Sequence, residues 1–543
     1  MRTLLKYFRW LWRHSEGVRW SLAWNILLGI VNVAVTLTYI VLCKRLVDIA
    51  TGDAEGSILY FTIAVLVLIA VRLGIAAANV RIESLANSRM NFIIRRRLYS
   101  ELLLTRWNGK ESRHSGDTIN RLETDVSTVT GVICSDFPQI ITTLVQLVAA
   151  VIFLCTMDWR LAVILLLITP FFLAFSKVFF RKMRTLTRNI RETESKVQSH
   201  LQESLQHSVV VRSMERNDLM EERLDDLQNT EYGQVVERTR FNIFARTTVG
   251  AAFSYGYIAA FLWGVYGIYK KMSTFGTMTA FLQIVSQIQR PVVNLTRQIP
   301  AFIYATASID RLMELETSPK EETGEQQMIP GTAGVRVSGL TFRYDDGDRN
   351  VLENLTFDFA PGSRTAVVGE TGIGKSTLVR LMLSVLQPTA GKIEIYGEGA
   401  SFEATPMTRC NIVYVPQGNT LLSGTIRENL RLGDPDATEE QMWKALEIAE
   451  AQFVRDLPDG LDTVCGEKGS GLSEGQAQRI AIARGLLRPG SILLMDEFSS
   501  SLDPETEARL VENLNRQASG KTLVFITHRE RVVTGCDQVL SLV

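Results

Sequence analysis

Apolar residues form long, nearly unbroken runs through roughly the first 300 positions and short, punctuated ones afterwards. Six long runs stand out: Ser21–Cys43, Ser57–Val80, Pro138–Met157, Leu161–Phe180, Thr247–Tyr269 and Thr277–Ala301. Each is close to the ~20 residues a helix needs to cross the hydrocarbon of a bilayer, so each predicts a spanning helix. Ahead of them, Leu4, Leu5, Phe8, Leu11 and Trp12 recur at helical spacing among Lys6, Arg9 and Arg13. That pattern predicts a short basic amphipathic helix lying along the membrane surface.

The connections alternate in length. Thr51–Gly56, Met157–Arg160 and Lys270–Gly276 are short, whereas Arg81–Phe137 and Arg181–Arg246 are long, poor in glycine and free of proline. The long segments read as rigid helical hairpins, since a thirty-residue helix extends ~45 Å. Arg81, Arg89, Arg95, Arg96, Arg97, Arg106, Lys110, Arg113 and Arg121 crowd the first, while Thr51–Gly56 has no basic residue. The positive-inside tendency places both hairpins and both termini in the cytosol, and the chain in a plasma (bacterial inner) membrane.

Polar residues also fall inside the runs. Arg72 lies deep in the second, and Gln283, Gln287, Arg290, Asn294 and Arg297 recur along one face of the sixth. Intramembrane charge is costly and normally faces a protein interior or a wet cavity. The face reads either as the lining of a passage, with Pro291 permitting a bend, or as arginines snorkelling to the inner surface. A passage would favour anionic or zwitterionic amphiphiles, because no acidic residue lies mid-span to neutralise the arginines.

Helical periodicity continues to Leu315 and breaks in Glu316–Gly334, where Pro319, Pro330 and Gly331 mark a linker. From Val335 the pattern is that of an α/β domain. Three units result: 1–315, 316–334 and 335–543.

Within the last unit, a short β-branched run precedes Gly369, Glu370, Thr371, Gly372, Ile373, Gly374, Lys375, Ser376 and Thr377, and a helical pattern follows at once. The spacing G-x-x-x-x-G-K-S is that of a phosphate-binding loop. Its amides and helix N-terminus would cradle phosphates, Lys375 would meet the β- and γ-phosphates, and Ser376 would offer a hydroxyl to Mg²⁺. ATP and Mg²⁺ are thus the expected ligands. Ile492–Met495 reads as a buried strand that ends in Asp496 and Glu497. Asp496 would hold the metal and Glu497 would polarise an attacking water. His528 ends another apolar strand and is placed near the same phosphate.

Composition narrows the alternatives. Lys+Arg and Asp+Glu are balanced at 58 each, so no nucleic-acid surface is expected. The six cysteines are scattered singly, which predicts free thiols. No A-x-A-like site follows the first run, so it is expected to be retained.

The order of these motifs resembles the ATP-binding cassette, and the six-run half before it resembles the transmembrane domain of ABC exporters. The resemblance implies a membrane all-α six-helix domain followed by a cytosolic α/β P-loop ATPase. It gives Tyr344 to adenine and makes Gln417 a metal and catalytic glutamine. Gly466–Gly471 would be the X-loop and Leu472–Gln476 the signature, with Ser473, Gly475 and Gln476 reaching a second chain's ATP. Asp503 falls in the D-loop, and Glu497 and His528 are the catalytic acid and switch. Glu474 departs from the family signature, where glycine is usual, and the chain stops at Val543 without the family's usual closing strand pair and helix.

A dimer follows from the resemblance, homodimeric or with a second, different half-transporter. The hairpin tips Thr105–Asp117 and Ser208–Glu215 would dock near Gln417 and Glu467. The expected activity is ATP-driven movement of an amphiphilic or lipid-like substrate by alternating access. An importer on the same fold, or an ATP-dependent gate without transport, remain alternatives.

Overall fold

The computed structural model describes residues 2–107, 115–344, 347, 349–466, 471–517 and 520–542. Within these, it describes no side chain at 2–5, 8, 115, 116, 161, 162, 164–181, 249, 252, 289, 290, 292–300, 303 or 304. The chain forms two compact units: Met1–Tyr99 with Gly116–Glu316, and Ser100–Ser115 with Thr317–Val543.

The first unit is helical. Its elements are α1 (Arg2–His14), α2 (Arg19–Ala50), α3 (Ile58–Leu103), α4 (Ser115–Asn120), α5 (Val126–Gly131), α6 (Phe137–Met157), α7 (Trp159–Gln206), α8 (Ser208–Ser213), α9 (Asn217–Tyr269) and α10 (Phe275–Glu316). Among the described residues, four helical stretches are long and apolar enough to cross a membrane: Arg19–Ala50, Ile58–Leu103, Asp117–Met157 and Asn217–Tyr269. In the most apolar window of α3, mean hydropathy reaches 2.5 and 0% of the residues are buried. Such a surface calls for lipid or another protein rather than water. Of the other two expected spans, Leu161–Phe180 lies in α7 with nearly all its side chains outside the described residues, and Thr277–Ala301 lies in α10 with about half of them outside.

The return leg of the first hairpin is not the uniform rod expected from its composition. Two π-helical turns, Arg121–Asp125 and Val132–Asp136, interrupt it. The second immediately precedes Pro138, whose missing N–H removes a rung from the α-helical ladder and favours a shifted register. The first presents Asp125, 4% exposed, to α10. There it accepts from Ser308 Oγ (2.8 Å) and Arg311 Nε (2.8 Å).

A second knot ties α1 to the end of α10. Trp10 Nε1 donates to Glu316 Oε2 (2.7 Å), and His14 Nε2 meets Glu316 Oε1 (2.7 Å). His14 Nδ1 faces the Trp10 carbonyl (2.9 Å), which can only accept. Burial alone would raise the Glu316 carboxyl, but the His14 and Trp10 hydrogen bonds outweigh it and hold Glu316 below the usual carboxylate range. The expected amphipathic helix is thus anchored through Trp10 and His14. Leu4, Leu5 and Phe8 lie outside the described side chains.

The second unit holds β1 (Gly334–Phe342), β2 (Leu352–Phe359), β3 (Arg364–Val368), α11 (Lys375–Met382), β4 (Ala390–Gly397), β5 (Ala400–Glu403), β6 (Ile412–Val415), β7 (Gly424–Thr425), α12 (Ile426–Arg431), α13 (Glu439–Ile448), β8 (Val464–Cys465), α14 (Glu474–Leu487), β9 (Ile492–Asp496), α15 (Pro504–Gln517), β10 (Thr522–Ile526), α16 (Glu530–Thr534) and β11 (Gln538–Ser541). An antiparallel sheet runs β2-β1-β4-β5 and a parallel one β11-β3-β10-β9-β6. Every residue of β9 and β10 is buried, as parallel strands covered on both faces require. Ile526 pairs with both Val367 and Asp496, so β3, β9 and β10 end side by side. β11 fills the edge beside β3.

The described part of the first hairpin tip lies within this unit. Thr105 bridges Lys320, Arg106 N–H donates to the Pro319 carbonyl (2.8 Å), and Glu321 N–H donates to that of Leu104 (2.8 Å). Trp107 stacks under Arg380, with the guanidinium carbon 4.7 Å from the ring centre. The tip was expected near Gln417 and Glu467; its described residues, 105–107, meet the linker and the helix after the phosphate loop. Residues 108–114 and Glu467 lie outside the described residues.

Candidate nucleotide site

The loop from Gly369 to Gly374 joins the carboxyl end of β3 to α11. Gly374 has φ +114°, and a Cβ there would sit 3.0 Å from side-chain atoms of Val351 and Leu352. At Gly369 a Cβ would come 2.8 Å from the Leu542 carbonyl oxygen. Neither position accepts a larger residue without displacing its neighbours, so the sequence motif is enforced by packing.

Lys375 is 7% exposed and folds back into the loop. Its Nζ donates to the Gly369 carbonyl (2.6 Å) and approaches His528 Nε2 at 2.9 Å. Glu497 Oε1 lies 3.3 Å from the same Nε2, and Gln417 Nε2 donates to Glu497 Oε2 (2.7 Å). Three strand ends and the loop after β6 thus converge through Lys375, His528, Glu497 and Gln417.

Glu497 is held at φ +44°, a region that non-glycine residues seldom occupy. Its N–H donates to the Ile526 carbonyl (2.9 Å), which anchors the turn. Such a conformation persists only where surroundings over-determine it. Asp496, one residue earlier, is 6% exposed. Ser376 Oγ (3.5 Å) and Tyr414 OH (3.4 Å) reach its Oδ2. Burial, then the charge of Glu497, pushes the Asp496 carboxyl above its ordinary range, against Tyr414, Ser376 and Arg380. A buried carboxylate beside a serine hydroxyl, disfavoured in its charged form until a cation arrives, suits a hard divalent ion.

Tyr344 packs edge-on against Phe342 (ring centres 4.9 Å apart), and its hydroxyl meets Thr377 Oγ1 at 3.1 Å. Its ring is therefore tethered to α11. Glu370, Thr371, Gly372 and Ile373 complete the loop.

Ser473, Gly475, Gln476 and Asp503 form a separate group. Ser473 and Gln476 cap α14 reciprocally: Gln476 N–H donates to Ser473 Oγ (3.3 Å) and Ser473 N–H to Gln476 Oε1 (2.9 Å). A Cβ on Gly475 would approach the Ser501 carbonyl oxygen to 2.8 Å, so the start of α14 packs against the turn before α15. Asp503 caps that helix from the Glu505 and Thr506 amides, and those bonds hold its carboxyl low. Glu474 is exposed at the first position of α14. No hydrogen bond among the described residues joins this group to the Lys375 cluster. Gln478, further along α14, does reach back, donating to the Pro416 carbonyl (3.1 Å) beside Gln417.

Residues 22–292 match the ABC transporter transmembrane region family, and residues 352–500 match the ABC transporter family. The chain belongs to the ABC transporters. This transporter is 27% identical over 544 residues to the multidrug resistance ABC transporter ATP-binding and permease protein of Lactococcus lactis subsp. lactis (strain IL1403), covering 99% of this chain and 91% of the other. It is 27% identical over 529 residues to YgaD of Bacillus subtilis (strain 168), which carries a provisional multidrug-export name, covering 95% and 91%. A bacterial Atm1-family ABC exporter solved with ATP bound shares its fold, with TM-score 0.79 and 22% identity over 97% of this chain and 94% of that one. The transporter is a membrane protein that joins spanning helices to an ATP-hydrolysing cassette.

Two contributors escaped the sequence reading. Tyr414 reaches Asp496 from β6, and a hydroxyl-bearing residue within the apolar run Ile412–Val415 was the available signal. Arg380 sits between Trp107 and the charge of Asp496, and nothing in the motif spacing marks it.

Proposed function

We propose that the chain is one half of a homodimeric exporter with six spans, its cassettes and both termini in the cytosol of a bacterial cell. Closure of two cassettes on ATP would drive alternating access for an amphiphilic, lipid-like substrate. The observation that carries this is the convergence of Lys375, His528, Glu497 and Gln417 at one sheet edge, with Ser473, Gly475, Gln476 and Asp503 apart from it. A site so divided is completed by a second copy.

In that reading the loop amides and Lys375 bind the phosphates, and Tyr344 stacks on adenine. Ser376 and Asp496, with the remaining Gln417 oxygen, are the residues that would hold Mg²⁺, which would supply charge neutralisation at the β- and γ-phosphates. Glu497 would orient and polarise water, and His528 would leave Lys375 to meet the γ-phosphate.

The substrate class is supported by a cavity of about 190 Å³ within the helices, lined in part by Asn32, Thr36, Arg72, Gln146 and Gln287. Gln146 Nε2 donates to Gln287 Oε1 (2.6 Å), which leaves the Gln287 amide nitrogen and the Arg72 guanidinium as donors. Asn32 Oδ1 is buried there with no hydrogen-bond partner among the described residues. One cation among amides suits the polar head of an anionic or zwitterionic amphiphile. Gln283 is not among the lining residues, and the side chains of Arg290, Asn294 and Arg297 lie outside the described residues.

The multidrug-export names of the relatives favour export over import. The test is ATP-dependent movement of labelled amphiphiles in vesicles, paired with substrate-stimulated ATPase. Arg72→Gln should remove stimulation by anionic amphiphiles while basal hydrolysis persists; unchanged stimulation would refute the substrate reading.

A further inference from the structure

A second and larger cavity, about 310 Å³, lies nearer the short connections, sharing α2, α6 and α10 with the first. Its lining includes Lys44 of α2, Asp158 after α6, Arg160 of α7, Trp263 and Tyr266 of α9, and Phe281 of α10. These positions sit by the short connections, opposite the ends that extend into the hairpins and α10 tail. About 9 Å of helix separates Phe281 from Gln287 in the first cavity. Between them stands a buried apolar layer of Ile40, Leu154, Phe281 and Ile284, each at most 2% exposed. Two polar chambers are thus stacked across one dry partition.

Positive charge exceeds negative in the lining of the outer chamber, with Lys44 and Arg160 against Asp158. Asp158 is its lining acid, and both carboxylate oxygens are already engaged. Oδ1 accepts from Arg160 N–H (2.9 Å) and Oδ2 from Trp263 Nε1 (2.8 Å). Asp48, one turn beyond Lys44, is buried against the start of α10, where it accepts from Gly276 N–H (3.0 Å). The closeness is forced, since a Cβ on Gly276 would lie 2.3 Å from that oxygen. Two side-chain cations on different helices therefore face the chamber beside indole and phenol rings. Lys44 is a point charge and Arg160 a planar fork; together they offer more donors than one carboxylate group needs, and match the several oxygens of a phosphate.

We propose that this outer chamber is a second binding site, selective for the phosphate of a phosphate-bearing amphiphile, with Lys44 and Arg160 on the phosphate and Trp263 and Tyr266 beside the chain. It deepens the reading of the substrate as an amphiphile, since a headgroup passing the Phe281 partition from the Arg72 chamber would arrive there.

Full-length protein in zwitterionic lipid nanodiscs tests it, with dodecyl phosphate and inorganic phosphate as separate probes. Trp263 fluorescence is read as the difference from a Trp263→Phe control. Wild type should bind dodecyl phosphate saturably, and each of Lys44→Gln and Arg160→Gln should weaken it roughly tenfold with basal ATPase retained. Lys44→Arg should retain binding, which guards against misfolding as the cause. Competition by inorganic phosphate would support recognition of the headgroup alone, and its failure to compete would support recognition of headgroup and chain together. Equal dodecyl phosphate affinity in the Lys44→Gln/Arg160→Gln double variant would overturn the site. Arg72→Gln separates the two readings: it should leave this fluorescence titration unchanged, whatever it does to stimulated ATPase.

Discussion

At the scale of single residues, Asp496 and Glu497 show adjacent acids set to different tasks by their surroundings. Asp496 is buried with a raised carboxyl, and Glu497 is turned by its positive φ toward Gln417 and His528. Glu497→Gln should keep ATP binding and lower hydrolysis by at least ~100-fold, the scale of a lost general base, measured as phosphate release. For Asp496 the sign is worked out from linkage. Its native carboxyl binds a proton more tightly than the unfolded chain does, so ionisation destabilises the fold progressively as pH rises above the ordinary aspartate range. Asp496→Asn should therefore raise the thermal midpoint without nucleotide at pH 7 while abolishing Mg²⁺-dependent hydrolysis. Protons also compete with metal at this carboxylate, so the Mg²⁺ concentration for half-maximal activity should rise as pH falls.

At the scale of elements, α10 is the organising helix of the first unit because two helical segments are pinned to it, the π-turn Arg121–Asp125 at both its ends and α1 at its last turn. Asp125 of the π-turn meets Arg311, Trp10 and His14 of α1 meet Glu316, and Arg121 Nη1 meets Glu314 Oε2 (2.9 Å). Asp125→Asn should cost about 1–2 kcal/mol in thermal or denaturant unfolding, moderated because the Arg311 side chain is 47% exposed. The Glu316 carboxyl is held low, so its contribution is full above the ordinary glutamate range and is lost as pH falls through the depressed value. Loosening of α1 in acid, read by limited proteolysis near residues 15–18, should follow that loss and be absent in Glu316→Gln, which is loose at every pH.

At the scale of the whole molecule, the cassette was legible because its motifs are local: a loop, a strand end and a helix start each carry their own spacing. The strands at Val335, Ile492 and Leu523 also announced themselves, the first through alternation and the other two through fully apolar runs. What stayed hidden depends on chain segments far apart in sequence. His14 and Glu316 look unremarkable apart, as do Asp125 and Arg311, and the π-turns leave almost no mark on composition. Division of the site between its two groups of residues gives a further prediction. Glu474 is exposed at the start of α14, where a second copy's ATP would lie, and its charge opposes phosphate. At ~8 Å in water that repulsion is worth about 0.5 kcal/mol, so Glu474→Gly should lower the half-saturating ATP concentration about twofold.

The contact of residues 104–106 with 319–321 also redefines what the linker is. Paired main chains do not stretch like rope, so this stretch acts as a splint that fixes Lys320 to the turn arriving from α3. Extra glycines inserted after Glu322 would add slack only on the cassette side of that splint, whereas a proline at Glu321, which removes one of its amide donors, would unfasten it without adding any length.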